Sequence, residues 1–570
     1  MASELDTALS EVMDRLVVPG GPLETVPFER FGRTLPMLKN APATLPQYFE
    51  MFCAQHAEAE FLVDGAQRFT FGEIYAAARE VAGGLVAGHN VERGDRVGIA
   101  ARNSASWIVA YMAVIMAGGC ATLLNGWWSG EELAEGIALA QCKLVIADAP
   151  RAQRLEGQPH RARIVTIEHD RPLALGLAAL TEHGGNSETP LPSLTGDDLA
   201  TILYTSGSTG QSKGAWSDHR AVVQGVFSYV AQSVMVVTLL TDKGEAPTVQ
   251  PTALVNVPLF HVTGEVPLLL QSFAIGRKLV MMPKWNAEEA MRLIEAEKVT
   301  YFVGVPLMSF EIATHPDRDN YDLSSCVSFA AGGAPRPVDH VTRIKAALPH
   351  AFPLLGYGLT ETNGVGCGNF NENYLAKPGS TGTASKPLVE MAILDDAGDA
   401  MPQGSIGEVS FRTICNFNGY WDNTEATQAA IMPDGFFRTG DLGRIDEDGY
   451  LFIVDRKKDI IIRGGENISC IEVEQAIYAH PAIAEASVFG MPDEKFGELP
   501  TGVFLAKEGH SVSEAELREF LKANMAPFKV PVRLWQEHET LPRLGTEKVD
   551  KRTLKARYQT VWESEQNQTA

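Results

Sequence analysis

The sequence predicts an α/β protein: a large N-terminal domain of layered α/β subdomains that ends in a β-rich subdomain, followed by a small α+β C-terminal domain. Three observations predict it. From Phe69, short β-branched runs alternate with helical patterns, as in a layered sheet with helices between its strands. From Thr383, short alternating runs are broken by Gly, Asp and Pro, the texture of a smaller strand-rich unit. At Asp455-Arg-Lys-Lys-Asp459 a charged run ends that texture just before a Gly-Gly turn, which marks a domain boundary. The expected division is therefore 1–455, with the β-rich part at about 365–455, and 456–570. The last piece is long enough for a small domain of its own.

The elements follow in order. The first forty residues read as a loosely packed lead-in. Thr70 caps a helix that runs to Val86. The turn Gly94-Asp95 leads into a strand at Arg96–Ala100, and Lys143–Ala147 and Ile164–Ile167 are further strands. The longest uncharged apolar stretch, Ile108–Leu124, is marginally short for a membrane span and contains Gly118-Gly119. It predicts a buried helix, and no transmembrane segment is expected. Strand-like runs recur at Leu254–Val257, Lys278–Met282, Tyr301–Val305 and Val327–Ala330, then at Met391–Leu394, Gly407–Phe411 and Tyr450–Ile453. A helix is expected at Cys470–Ala479.

Composition narrows the function. The chain has 570 residues, 45% of them apolar and 21% charged, enough apolar material for a sizeable core. Its net charge of −23 repels nucleic-acid backbone and anionic lipid, so neither is an expected partner. A polyanionic ligand would need a local site of loop amides, a few basic residues and a metal ion. Seven cysteines, at 53, 120, 142, 326, 367, 415 and 470, form no C-x-x-C pair. They read as reduced thiols in the cytoplasm. The N-terminus starts acidic and lacks the basic and apolar regions of a signal peptide.

Leu203 to Gly214 reads LYTSGSTGQSKG. An apolar strand runs into a loop whose glycines, Gly207 and Gly210, let backbone amides approach an anion. Thr205, Ser206, Ser208 and Thr209 add hydroxyl donors, and Lys213 adds a charge. The spacing is not that of the common phosphate loop, because Ser212 stands where a second Gly should be. A flexible linker is the plain alternative, but linkers do not follow a buried strand and end in Lys.

This segment resembles the signature loop of the adenylate-forming superfamily, whose members include acyl-CoA synthetases, adenylation domains of peptide synthetases and beetle luciferases. Further segments match in the expected order. Gly356-Tyr-Gly-Leu-Thr-Glu361 is similar to the adenine and metal segment. The resemblance implies nucleotide contacts from Gly356, Tyr357, Gly358, Leu359 and Thr360, with Thr360 on the α-phosphate. Glu361 would be a hard oxygen ligand for Mg²⁺. Gly332-Gly-Ala-Pro335 resembles the turn lining the adenine face, through Gly333, Ala334 and Pro335. Phe436-Phe-Arg-Thr-Gly-Asp-Leu442 resembles the ribose segment, where Asp441 would accept both ribose hydroxyls. Asp455–Ile460 and Gly464-Gly-Glu-Asn-Ile468 resemble the hinge and the loop after it. Arg456 would reach the ribose–phosphate region, Lys458 would be the hinge, and Gly464, Gly465 and Glu466 would join the site. Leu541–Lys551 resembles the catalytic-lysine segment, with Lys548 on the family lysine. It departs from the pattern at Glu547, where the family has Gly. Pro258–Gly264 resembles the acyl-tunnel gate, with His261 at the gating position; a lone His among apolar residues is otherwise structural.

The resemblance spans roughly 60 to 555 and implies an ATP-dependent acyl-CoA synthetase using ATP, Mg²⁺ and coenzyme A. A carboxylic acid would attack the α-phosphate, with Mg²⁺, Thr360 and Lys548 stabilising the charge. The mobile C-terminal domain would then swing to let coenzyme A attack the acyl adenylate. Other readings stay open: transfer to a separate carrier protein, an oxidative second step, a nucleotide-binding sensor without turnover, and a homodimer. Only 22 residues follow Lys548, so a carrier fused in this chain is not expected. Apolar residues around Phe260 and the Gly-rich run Gly364–Gly368 suit an apolar acid. A medium- or long-chain fatty acid is expected first, aryl or steroid side-chain acids next.

Overall fold

A computed structural model describes residues 3–206, 212–334, 336–544 and 548–569. Gly207, Ser208, Thr209, Gly210, Pro335 and Glu547, and the side chain of Ser206, lie outside the described residues.

Two sheets enclose a shared helical layer. The first has seven strands in the order Gly419–Tyr420, Ser212–Asp218, Leu199–Ser206, Cys120–Leu123, Arg96–Ala100, Leu144–Asp148, Arg163–Ile167. The second has nine, with Phe352–Gly358, Ser328–Ala331, Tyr301–Gly304, Thr252–Val255 and Lys278–Met281 running parallel at its centre. Leu144–Asp148 is buried along its whole length, as a strand covered on both faces must be. The helices Leu45–Gln55, Phe71–Ala87, Ala105–Met116 and His219–Asp242 supply the core between the sheets.

Local chemistry fixes these elements. Thr70 and Glu73 form a reciprocal capping box at the start of Phe71–Ala87. The apolar stretch at 108–124 divides in two. Its first part belongs to the helix Ala105–Met116, buried at every position, and the chain then reverses at Gly118, with φ +83, into Cys120–Leu123. Only glycine adopts that conformation without strain. The helix His219–Asp242 is long and apolar enough by length and composition to cross a membrane. Its first half is packed in the core, capped by Asp218.

The strand-rich unit is a four-stranded antiparallel sheet of Val389–Leu394, Gly407–Thr413, Phe437–Ile445 and Leu451–Arg456. Beyond it, Ile461–Arg463, Glu466–Ile468, Ile483–Asp493, Gly497–Ala506 and Arg533–Glu537 form a separate sheet, packed against Cys470–Tyr478 and Glu514–Asn524. The fold is thus a large mixed-sheet α/β domain with a smaller α+β region after it.

The opening residues correct an expectation. They form a helix, Glu4–Leu16, and a hairpin, Thr25–Arg30 with Arg33–Leu38. Val12, Met13 and Leu16 enter a core shared by His219–Asp242 and the strand-rich unit. Arg30 makes a 2.7 Å ion pair with Asp218, with side chains 8% and 2% exposed, and Tyr450 donates its hydroxyl to Asp6 at 2.8 Å. Their partners stand hundreds of residues away, so no local window of sequence shows them.

Candidate active site

The centre of the site is built where Phe352–Gly358 turns into the short helix Thr360–Thr362. A Cβ on Gly358 would lie 2.0 Å from the Gly364 carbonyl oxygen, so only glycine lets the chain fold back so tightly. The turn is pinned by Asn363, which donates to Ser217 Oγ at 3.1 Å and to the Cys415 carbonyl at 2.8 Å. Thr360 opens the turn, its carbonyl accepting from the Asn363 amide at 3.1 Å. The Leu359 amide donates to the Thr362 hydroxyl at 3.1 Å.

This turn holds Glu361 inside the protein, 7% exposed. Tyr420 donates its hydroxyl to Glu361 Oε1 at 2.8 Å. The Lys213 ammonium lies 4.8 Å from the centre of the Tyr420 ring. Burial raises the Glu361 carboxyl above its ordinary range, and the Tyr420 hydrogen bond works against that rise. Lys213 reaches this place because Ser212–Asp218 pairs with Leu199–Ser206, setting Lys213 opposite half-buried Thr205.

A second carboxylate faces the same space. Asp441 and Arg456 are register partners on adjacent strands. Arg456 Nε is 3.4 Å from Asp441 Oδ1, and Tyr357 donates its hydroxyl to Asp441 Oδ2 at 2.6 Å. Asp441 is 5% exposed. Burial raises its carboxyl, and Arg456, then Tyr357, pull it back down.

Lys548 completes the cluster. A Cβ added to Gly333 would lie 3.3 Å from Lys548 Cε. Gly333, with φ +77, lies next to Ala334 in the turn after Ser328–Ala331. The Lys548 ammonium is depressed to about 8 by burial first and by Arg456 second, while Asp441 and Glu361 hold it up. These four groups therefore share one electrostatic field. Lys551 is committed elsewhere, 2.9 Å from Glu474. His261 caps the turn Val262–Gly264, its Nδ1 accepting from the Thr263 amide at 3.3 Å. Burial, then Lys548, depress its imidazole to about 3, so it is neutral at physiological pH.

The space between these groups is open. A Cβ on Gly356 would meet nothing within 4 Å, and one on Gly332 would meet only the Gly356 carbonyl, at 3.7 Å. That floor, with Lys213, Arg456 and Lys548 around it, fits the flat base and charged phosphates of a nucleotide. Among the described residues no cluster of three or more metal-ligating side chains occurs. Glu361 would therefore hold Mg²⁺ together with phosphate oxygens, the usual arrangement for that ion.

Two expected groups lie differently. Lys458 is exposed in the turn after Leu451–Arg456. Gly464, Gly465 and Glu466 form the hairpin turn between Ile461–Arg463 and Glu466–Ile468, with Gly464 donating to the Phe496 carbonyl at 2.7 Å. The contacts of that turn are with its own sheet.

Tyr420 and Lys457 were not singled out by the sequence. Tyr420 stands 59 positions after Glu361, and only its pairing with Ala215 brings it in. Lys457 sits 2.7 Å from Asp396 and 3.3 Å from Glu408, and so ties the turn after Leu451–Arg456 to the strand-rich unit.

Fold and site together define an adenylate-forming acid–thiol ligase. The chain belongs to the AMP-binding enzyme family: the model of that family matches residues 49–421, and the model of its C-terminal domain matches 472–548. It is 32% identical over 488 residues to a 4-coumarate--CoA ligase-like protein of Oryza sativa subsp. japonica, covering 83% of this chain and 86% of the relative. It is 30% identical over 520 residues to a long-chain-fatty-acid--CoA ligase of Bacillus subtilis, covering 86% and 90%. The ATP-bound crystal structure of MatB from Rhodopseudomonas palustris superposes with a TM-score of 0.79 at 28% identity, over 91% of this chain and 99% of that one. The protein is an ATP-dependent, AMP-forming acid–thiol ligase.

Proposed function

We propose that the enzyme activates an apolar carboxylic acid, a medium- or long-chain fatty acid or one of similar character, and transfers it to coenzyme A in the cytoplasm. The observation that carries this reading is the wall beside Glu361. A side chain at Gly364 would touch Tyr229, Val262 and Pro267, and Phe260 packs on Trp127 with ring centres 5.0 Å apart. The nearest neighbours of that position are a phenol and apolar side chains, which suit an apolar group near the reacting carboxylate.

In the first half-reaction a carboxylate oxygen of the acid bonds to the α-phosphorus of ATP, and the bond to pyrophosphate breaks. Lys548 and Thr360 donate to the phosphoryl oxygens, where negative charge grows. Mg²⁺ bound at Glu361 would supply further charge compensation. Lys213, with Thr205 and Ser206 at the start of its loop, holds the departing pyrophosphate. Asp441 accepts from the ribose hydroxyls, with Arg456 beside it. In the second half-reaction the coenzyme A sulfur bonds to the acyl carbon, the thiol gives up its proton and AMP leaves. The domain division near 455, the hinge role of Lys458 and the gate role of His261 belong to this same proposal.

The test is pyrophosphate release with ATP and Mg²⁺ across a panel of fatty, aryl and short polar acids, followed by thioester assay with free coenzyme A. Release with apolar acids and thioester formation are expected. Release only with short polar acids would overturn the substrate reading. Transfer to a phosphopantetheinylated carrier and not to coenzyme A would overturn the acceptor.

A further inference from the structure

Behind the Gly364 wall lies a buried cation without a counter-ion. Gln271 Nε2 donates to the Tyr229 carbonyl at 3.1 Å and to Ser233 Oγ at 2.8 Å. Arg277 donates to the Pro267 carbonyl and to Gln271 Oε1, both at 3.3 Å, and its Nε is buried with no partner. The guanidinium lies 4.8 Å from the centre of the Tyr301 ring. Arg277 is 5% exposed, and the titratable groups that face it are the phenols of Tyr301 and Tyr48. Among the described residues it makes no ion pair with Asp or Glu.

A plain structural duty does not account for this. Pro267 sits in the π-helical turn Glu265–Leu270, and its carbonyl gains a donor from Arg277. One neutral donor would serve that carbonyl equally well. Instead a charged group is buried with an idle N–H, and both its bonds are longer than a good N–H···O contact. Burying an unpaired charge is strongly unfavourable, so such an arrangement suits a missing oxygen ligand.

The position points to the acyl chain. Pro267 and Tyr229 are the same residues that a side chain at Gly364 would touch, three positions after Glu361. Arg277 is thus one residue behind that wall, reached through Pro267. Tyr229, Ser233, Tyr301 and Leu354 retain accessible surface, although they lie where His219–Asp242 packs over the central strands. Tyr229 stands beside Gly364 and Tyr301 beneath the Arg277 guanidinium, so partly accessible side chains lie at both ends of this stretch.

We propose that Arg277, with Gln271 and Ser233, forms the far end of the acyl pocket and binds an oxygen acceptor, a ketone or a carboxylate, at the distal end of an otherwise apolar acid. The proposal rests on the apolar-acid ligase reading and narrows it.

The test uses the full chain and pyrophosphate release. Saturated acids from hexanoate to dodecanoate are compared with the methyl ketone acid and the diacid of matching length. At one chain length an oxygenated acid should exceed its parent in kcat/KM by about ten- to a hundredfold, the worth of hydrogen bonds to a charged donor. The ketone and diacid arms identify which acceptor is taken. Arg277→Met should bring that ratio close to one, Arg277→Lys should keep part of it, and Gln271→Leu should reduce it. A ratio near one at every length in the native chain overturns the proposal, whether or not the variants fold. So does a ratio that Arg277→Met leaves unchanged. No pyrophosphate from any acid would instead defeat the ligase reading itself.

Discussion

Lys548 carries the sharpest consequences at the scale of single residues. In its proposed role it is needed as a cation, yet burial and Arg456 depress its ammonium to about 8. For a lysine, the charged form is present below that value and lost above it. The kcat/KM for adenylation should therefore fall as pH rises through about 8, a limb that reports the free enzyme. A rate that holds level to pH 10 would remove Lys548 from the step. Lys548→Ala should lower adenylation by about 10²–10³, the usual effect of removing one oxyanion donor, and largely spare thioester formation from supplied acyl-AMP. Equal loss in both half-reactions would contradict the assignment. Lys551, engaged with Glu474, should affect stability more than either half-reaction. At this scale much was legible. Gly356–Glu361, Asp441 and Lys548 sit in short segments whose chemistry is contiguous in sequence. Tyr420 was not legible, because nothing in Asn418-Gly-Tyr420 says that a strand edge will place its hydroxyl on Glu361.

Among the elements, the turn after Leu451–Arg456 and the opening hairpin matter most. Lys457 bridges to Asp396 and Glu408, one residue before the proposed hinge, and on that proposal the pair should favour the orientation in which Lys548 faces Gly333. Lys457→Glu replaces attraction by repulsion. Adenylation should fall about three- to tenfold, the scale of a partly exposed pair, while conversion of supplied acyl-AMP to thioester is kept. A fall in the second half-reaction alone would reverse the argument. The hairpin Thr25–Arg30 with Arg33–Leu38 is fastened by the Arg30–Asp218 pair, and Asp218 also caps His219–Asp242. Arg30→Ala leaves a buried carboxylate unpaired, which should reduce unfolding free energy by about 3–5 kcal/mol. Denaturant titration would read this as a lower midpoint at similar slope, and an unchanged midpoint would show the pair to be dispensable. The alternating strands and helices of the two sheets could be read from periodicity because each is buried on a regular face. The hairpin could not: its stabilising partners lie in elements written much later in the chain.

For the whole molecule, that separation has a consequence in time. The first helix is anchored through Asp6 to Tyr450, a hydroxyl 444 positions further on. Chains grow at roughly 5–20 residues per second, so on the order of 20 to 90 s pass between the synthesis of the two partners. During that interval the core that Val12, Met13 and Leu16 enter is incomplete: Ala231 and Met235 of His219–Asp242 come earlier, but the residues of the strand-rich unit do not yet exist. A segment made early is thus completed late, and until its partners are made its apolar stripe is available to chaperones and proteases. Ribosome-bound chains stalled before Val389 should be clipped within the first forty residues, and chains released after Arg456 should resist the same protease there.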